Sequence, residues 1–311
     1  MLAFTEMTLN EEQLKQLHEF YSNSRFHERG GVITDLDGTA IHEFQGVYSI
    51  PKEVEFGLKK IYDLGRPVVI NTLRFPLSVI RTFGKEWYRI SNCPIATVLL
   101  NGSQLGYITE DGEGLKYEEI SAFPLEETEI DVVLDLVGSI LRDGIEELLV
   151  FFYPRNWEKG EIIWTPVEGK IGFVQNKYLS AALVISEDLK LLEARMKSED
   201  ICMIFLLIDI PQDKLMAYQH TQKSNFFTHT GVDKRFGAEQ IAKLLDFDLD
   251  HSIGAGDSQM DTFLAAVSQP VYVGNHNLPF QYHHPAIKVL GSTELGHLLF
   301  ELANLEKNTK R

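Results

Sequence analysis

The chain has 311 residues, 44% of them apolar and 24% charged; that length allows about two domains with a sizeable core, and the composition excludes disordered and fibrous architectures. Its formal charge is −16, from 29 Lys and Arg against 45 Asp and Glu, which leaves no basic footprint for nucleic acid or an anionic membrane. A small anionic substrate then requires a local positive group or a bound cation.

Residues Met1 to Met7 lack the positive segment and long apolar stretch of an export signal. Leu14, Leu17 and Tyr21 fall at i, i+3, i+7 and predict a surface helix over 9–21. The β-branched run Gly31 to Asp35 predicts a buried strand with Asp37-Gly38-Thr39 at its C-terminal tip, where open α/β sheets place their active sites. A helix opened by Pro51 and closed by Gly65 follows, then a strand at Val68 to Ile70 ending in Asn71-Thr72. A helix near 76–89 and a strand at Ala96 to Leu100, ending at Asn101-Gly102, continue the βαβ rhythm.

The rhythm changes near Phe123. A helix carrying Ile130, Val133, Val137 and Ile140 leads into strands expected at Leu148 to Tyr153, Glu161 to Thr165 and Ile171 to Val174, then a helix around 187–198 and a strand at 201–210. Its apolar part, Ile201 to Ile208, is far shorter than the roughly 20 residues that span a bilayer. This mixture reads as an α+β insert rather than more parallel sheet. The doubly wound pattern resumes with a helix after Lys234, a strand at Ser252 to Ala255 ending at Asp257, and a strand at Val271 to Val273; the polar tail, Glu306 to Arg311, is expected to fray. The fold class is therefore α/β, a doubly wound, mostly parallel core over 1–118 and 224–311 with an inserted cap over 119–223. Cys93 and Cys202 make no metal or disulfide spacing, so the expectation is a soluble cytoplasmic protein with reduced thiols, its oligomeric state open.

Two sequence-distant strand tips carry acids: Asp35 and Asp37 on one, Asp257 and Asp261 on another, with Thr72 and Asn101 at tips between them. A parallel sheet brings such tips to one edge. Clustered carboxylates raise one another's pKa unless a cation offsets them, and an all-oxygen donor set favours Mg²⁺ over zinc. The plain alternative is that Asp35 and Asp37 cap a loop and Asp257 caps a helix continuing through Asp261. Met260 fits an apolar stripe with Phe263, Leu264 and Val267.

Taken in order, Asp35-Leu36-Asp37-Gly38-Thr39, Thr72, Lys234 and Gly256-Asp257-Ser258-Gln259-Met260-Asp261 resemble the four motifs of the haloacid dehalogenase-like phosphatases, and the insert resembles the large α/β cap of their Cof-type members. The resemblance implies Asp35 as nucleophile and Asp37 as general acid and base. It also implies Mg²⁺ on Asp35, the Asp37 carbonyl and Asp257, with Thr72 and Lys234 on the phosphate and Asp261, Ser258 and Asn101 in support. Two positions depart from the family's pattern: Leu73 stands where many relatives have Gly, and Met260 where Asn is common. In the cap, Arg155 and Trp157 are candidates for holding an anion and a sugar face, whereas His220, His229 and His276 are read as structural. The expected activity is Mg²⁺-dependent hydrolysis of a small phosphorylated metabolite, a sugar phosphate by resemblance. The alternatives are a phosphomutase of the phosphomannomutase kind, a non-catalytic metabolite-binding protein and, more distantly, a nucleotide-sugar transferase.

Overall fold

The computed structural model describes residues 9–44, 47–208, 226–275, 280 and 285–309. Helix α1 (Glu11–Asn23) begins two residues later than expected because Asn10 is its cap, accepting from the Gln13 N–H while the Gln13 side chain accepts from its own. The short helix α2 (Phe26–Arg29) leads into β1 (Val32–Thr34), a hairpin of β2 (His42–Phe44) and β3 (Val47–Ser49), α3 (Lys52–Asp63) and β4 (Val68–Asn71). The helix expected over 76–89 is broken into α4 (Pro76–Val79), a π-helical turn at Ile80–Gly84 and α5 (Lys85–Ser91). After β5 (Ile95–Leu99) comes a hairpin the sequence reading did not include, β6 (Gln104–Glu110) and β7 (Leu115–Ala122). Its signal was present in Asp111-Gly112 and Gly114, whose glycines turn with φ of +88° and +140°.

The second part of the chain runs through α6 (Glu127–Arg142), β8 (Leu148–Pro154), β9 (Glu161–Trp164), α7 (Ile171–Lys177), β10 (Ala181–Ile185), α8 (Leu189–Lys197), β11 (Ile201–Ile208) and β12 (Phe226–Phe227). The strand expected at Ile171 to Val174 is α7. Ile171, Val174 and Tyr178 at i, i+3, i+7 pack into one apolar cluster, while Phe173, which a strand would have buried with Ile171, lies more than half exposed. The chain closes with α9 (Lys234–Leu244), β13 (Ile253–Gly256), β14 (Gln269–Val273), β15 (Ile287–Val289) and α10 (Ser292–Thr309). Helix α10 corrects the expected frayed tail: Glu306 is fully buried, its carboxylate accepting from the Tyr21 hydroxyl at 2.9 Å and lying 3.6 Å from Arg66 Nε.

The strands form two large sheets. The first has the order β15-β14-β13-β1-β4-β5-β6-β7, parallel from β15 to β5 and antiparallel in the added hairpin. The second has the order β10-β9-β8-β11-β12 and is antiparallel apart from β9 and β10. β7 keeps the first sheet going to Ala122, and β12 keeps the second going to Phe227, each a few residues past the seams expected at 118 and 223. Strand β1 lies between β13 and β4, so the connections diverge from it on both sides and open a crevice at its C-terminal tip.

Alternation sorts the side chains. Val32, Val68 and Ile70 join the core under α3 and α10, while Ile33 and Val69 join the core under α9. In the second sheet Leu148, Val150 and Phe152 pack under α6 and α8, and Leu149, Phe151 and Tyr153 turn to the opposite face. That face meets Leu73, Phe75, Leu100 and Met260 from the tips of the first sheet, so the insert sits directly over the crevice. Both edges of the first sheet are covered or charged. The Gln13 side chain donates to the Lys288 carbonyl of β15 at 2.6 Å, and β7 carries Lys116 paired with Asp111 and Glu118.

Glu55 on α3 is buried, and that burial, with the charge of Glu86, pushes its carboxyl up to about 7. A carboxyl raised on folding contributes its stability below the ordinary carboxylate range and loses it as pH rises through about 7. Glu55→Gln is expected to raise the melting temperature by about 2–4 °C near pH 8 and to leave it unchanged near pH 4, read by thermal melts at both values.

Candidate active site

The tips of β1, β4, β5 and β13 deliver their polar residues to one crevice. The Asp35 N–H donates to the Ala255 carbonyl, continuing the pairing of β1 with β13 by one residue, so Asp35 leaves the sheet beside Asp257. Gly38, at φ +78°, turns the chain back under Asp257; a Cβ there would collide with the Asp257 carboxylate. Thr39 donates its hydroxyl to Asp257 Oδ1 at 3.1 Å. Carboxylate oxygens of Asp35, Asp257 and Asp261 lie within 4.8 Å of one another.

One buried ammonium holds this cluster. Lys234 Nζ donates to Asp35 Oδ1 and to Asp261 Oδ1, each at 2.6 Å, and all three residues are at least 95% buried. Lys234 is the first residue of α9, capped by Asp233, whose side chain accepts from the Phe236 N–H. The turn at Leu100–Gly102 presses against this start: Gly102, at φ +101°, leaves no room for a Cβ against the Asp233 carbonyl, and the Asn71 amide donates to the Lys234 carbonyl at 2.8 Å.

Asp261 is not on a helix with Asp257 as expected. Residues 257–260 form a turn, and a 3-10 helix begins only at Thr262. The reason lies in Asp261 itself, whose Oδ2 accepts from the Asp257 and Ser258 N–H groups at 2.9 Å, folding the chain back on its own side chain. Gly256 permits this, since a Cβ there would lie 2.7 Å from that carboxylate. The same turn parts Met260 from its expected stripe. Met260 is buried with Leu73, Phe75 and Leu100 under the second sheet, whereas Phe263, Leu264 and Val267 pack under α9.

Asp37 does not join the three carboxylates. Its two oxygens accept from Arg74, Oδ2 from Nε at 2.7 Å and Oδ1 from Nη2 at 2.5 Å, a bidentate pair. Arg74 is 1% exposed and fixed further by donating from Nη1 to Ser78 Oγ at 2.8 Å. Arg74 ends the Thr72-Leu73-Arg74 motif that carries part of the family resemblance, which assigned it no role of its own. The Thr72 hydroxyl oxygen accepts from the Arg74 N–H at 3.2 Å, and its own hydrogen is left to donate. Asn101 sits beside it, its N–H 3.4 Å from the Thr72 carbonyl and its buried Oδ1 without a hydrogen-bond partner among the described residues.

The cap candidates sit differently. Arg155 is held by Glu119 of β7 at 2.7 Å and Asp200 at 3.3 Å, tying the two sheets together, and Trp157 packs against the first sheet's core. His229 lies 3.0 Å from Glu129; His220 and His276 fall outside the described residues.

Burial, opposed by Lys234 and reinforced by Asp261 and Asp257, raises the Asp35 carboxyl well above the usual carboxylate range. Burial and the charge of Asp261 push Asp257 up to about 7. Burial works against the charge of Lys234, but Asp261 and Asp35 outweigh it and raise the ammonium pKa. Ionised, three carboxylates and one ammonium sum to −2, the deficit one divalent cation fills. Lys234 and two N–H groups engage both oxygens of Asp261, so among the described residues Asp35 and Asp257 keep the less engaged carboxylates. This all-oxygen donor set fits a hard divalent cation such as Mg²⁺.

A family model described as haloacid dehalogenase-like hydrolase matches residues 32–278. No curated protein matches the chain. Among solved structures, a haloacid dehalogenase-like hydrolase from B. subtilis is 19% identical, with a TM-score of 0.60 over 89% of this chain and 98% of its own. A phosphatase of that superfamily from Bacteroides thetaiotaomicron is 14% identical, with a TM-score of 0.60 over 97% and 99%. A sugar phosphatase of subclass IIB is 16% identical, with a TM-score of 0.56 over 80% and 88%. At these identities the structures share the fold, a Rossmann-like core with a cap.

The raised carboxyls of Asp35 and Asp257 fix the sign of a pH effect. Their contribution to stability is present below the usual carboxylate range and is lost as pH rises through about 7 for Asp257. A divalent cation replaces the lost protons. Millimolar Mg²⁺ is expected to raise the melting temperature by several degrees near pH 8 and by much less near pH 5, checked by thermal melts with and without chelator.

Proposed function

The chain belongs to the haloacid dehalogenase-like hydrolases, and on that premise we propose that it is a Mg²⁺-dependent phosphatase of a small phosphorylated metabolite, a sugar phosphate as the first substrate to test. The observation that carries this reading is the Asp35, Asp257 and Asp261 cluster, buried at Asp35 and Asp261 and partly exposed at Asp257, two charges short of neutral around Lys234 at the crevice of the parallel sheet. A structural cluster would be balanced within itself; this one, at the strand tips of the parallel sheet, carries a deficit that a divalent cation would fill.

Asp35 is the nucleophile in this reading. One of its oxygens is fixed by Lys234, and the other attacks phosphorus in line as the bond to the leaving oxygen breaks, forming an aspartyl-phosphate. The electron pair of the broken bond goes to the leaving oxygen, which takes its proton from Asp37. Water then attacks the aspartyl-phosphate, gives a proton to Asp37, and returns the Asp35 carboxylate with free phosphate. Asp35, Asp257 and the Asp37 carbonyl would hold Mg²⁺, which when bound would supply positive charge to the nucleophile and the phosphoryl oxygens. Thr72 donates its hydroxyl hydrogen to a phosphoryl oxygen, and Lys234 adds a fixed positive charge beside the reacting atoms. Asp261 and Ser258 keep Asp257 in place through the folded-back turn. The second sheet over the crevice excludes water from the aspartyl-phosphate until the leaving group departs.

Asp35→Asn is expected to lower hydrolysis of p-nitrophenyl phosphate by about 10⁴-fold or more while the melting curve stays cooperative. Chelation is expected to abolish turnover and added Mg²⁺ to restore it. Full activity of the Asn variant overturns the assignment of the nucleophile, and isomerised substrate in place of free phosphate, read by NMR, overturns hydrolysis in favour of a mutase.

A further inference from the structure

Three consecutive residues join the two sheets at the point where Asp37 is held. Leu73 and Phe75 lie in the apolar cluster formed by Leu149, Phe151, Tyr153 and Phe205 on the inner face of the second sheet, and the Phe75 and Tyr153 rings stand 5.6 Å apart. Arg74, between them, turns the other way and takes both oxygens of Asp37. The segment is also anchored below: the Leu100 N–H donates to the Arg74 carbonyl at 3.2 Å, and the Arg74 N–H donates to Thr72 Oγ1. A glycine at position 73 would leave this backbone free and its contact with the second sheet empty; the leucine, 8% exposed, fills it.

We propose that Leu73-Arg74-Phe75 couples the seating of the cap to proton transfer, the two apolar side chains docking on the second sheet and Arg74 positioning the carboxyl of Asp37. The inference rests on the phosphatase reading. When Asp37 gives its proton to the leaving oxygen it becomes the carboxylate that Arg74 grips with two parallel N–H donors, so the guanidinium stabilises negative charge that develops as the proton departs. Arg74 touches neither phosphorus nor the nucleophile and acts only through Asp37; it is a positioning residue. Packing of Leu73 and Phe75 sets where the guanidinium stands. An unseated cap would therefore leave Asp37 misplaced, which confines proton transfer to the closed, dry arrangement.

The leaving group separates this role from a structural one. A nitrophenolate departs without a proton, whereas an alkoxide requires one, so an effect on Asp37 appears in alkyl esters first. The test compares kcat/KM, which reports only the steps up to the aspartyl-phosphate and the departure of the leaving group, for β-glycerophosphate and for p-nitrophenyl phosphate in the full-length protein with Mg²⁺. Arg74→Lys, which keeps the charge and loses the fork, is expected to lower the alkyl-to-aryl ratio by about 100-fold. Leu73→Ala is expected to lower it by about 10-fold, and a ratio that falls in both variants supports the coupling. An unchanged ratio in Arg74→Lys, with both esters slowed alike, overturns the positioning role. A ratio that falls in Arg74→Lys and stays constant in Leu73→Ala overturns the link to the cap. Where Arg74→Lys does not fold, Ser78→Ala, which removes the hydroxyl that accepts from Nη1, carries the same comparison. Turnover of neither ester by the unaltered protein overturns the phosphatase reading itself, and this inference with it.

Discussion

The site depends on a single ammonium group. Lys234 reaches two carboxylates from the first position of α9, all three groups out of water, and each needs the others. An isolated buried ammonium or carboxylate is costly enough to shed its charge, and a buried pair left without one partner is destabilised by about 3–5 kcal/mol. The geometry that brings Lys234 there is set by close backbone contacts: Gly102 against the Asp233 carbonyl, Gly237 against Gly102, and the Asn71 amide on the Lys234 carbonyl. Charge and packing thus specify one position for the start of α9. That position in turn fixes one oxygen of Asp35.

A division of labour among the four acids follows. Asp261 accepts from Lys234 and from two backbone N–H groups and Asp37 accepts from Arg74, whereas among the described residues Asp35 and Asp257 keep the less engaged carboxylates. Identical side chains within a few residues of each other acquire different tasks because each meets a different donor. The two cationic side chains are likewise not interchangeable. A lysine bridges two carboxylates at a point, while an arginine fork holds one carboxyl in a plane.

Much of this was legible in the sequence, for a physical reason. Buried parallel strands are short β-branched runs, their polar tips stand out against them, and topology obliges tips of neighbouring strands to share an edge; Asp35, Thr72, Asn101 and Asp257 were found that way. Lys234 and the role of Asp37 came from family resemblance. What escaped depended on pairing between residues far apart or on a local turn. Periodicity cannot reveal that Arg74 faces Asp37, that Asp261 folds its own loop back, or that Arg155 is occupied by Glu119 and Asp200. Ile171 to Val174 has strand-like residues, and only the exposure of Phe173 in the folded chain decides for a helix. The β6–β7 hairpin carries its signal in the Asp111-Gly112 and Gly114 turn, while its first strand is buried nearly throughout and does not alternate.

The treatment of the large sheet's two borders bears on self-association. An eight-stranded sheet with bare ends would offer two ladders of unpaired amides to any neighbouring chain. Here one border carries a glutamine amide from α1 already seated on the Lys288 carbonyl, and the other is a hairpin strand bearing Lys116, Glu118 and Glu119. Fibril-like growth by strand addition is disfavoured at both ends. Backbone-mediated joining of two copies through this sheet would first have to displace these side chains.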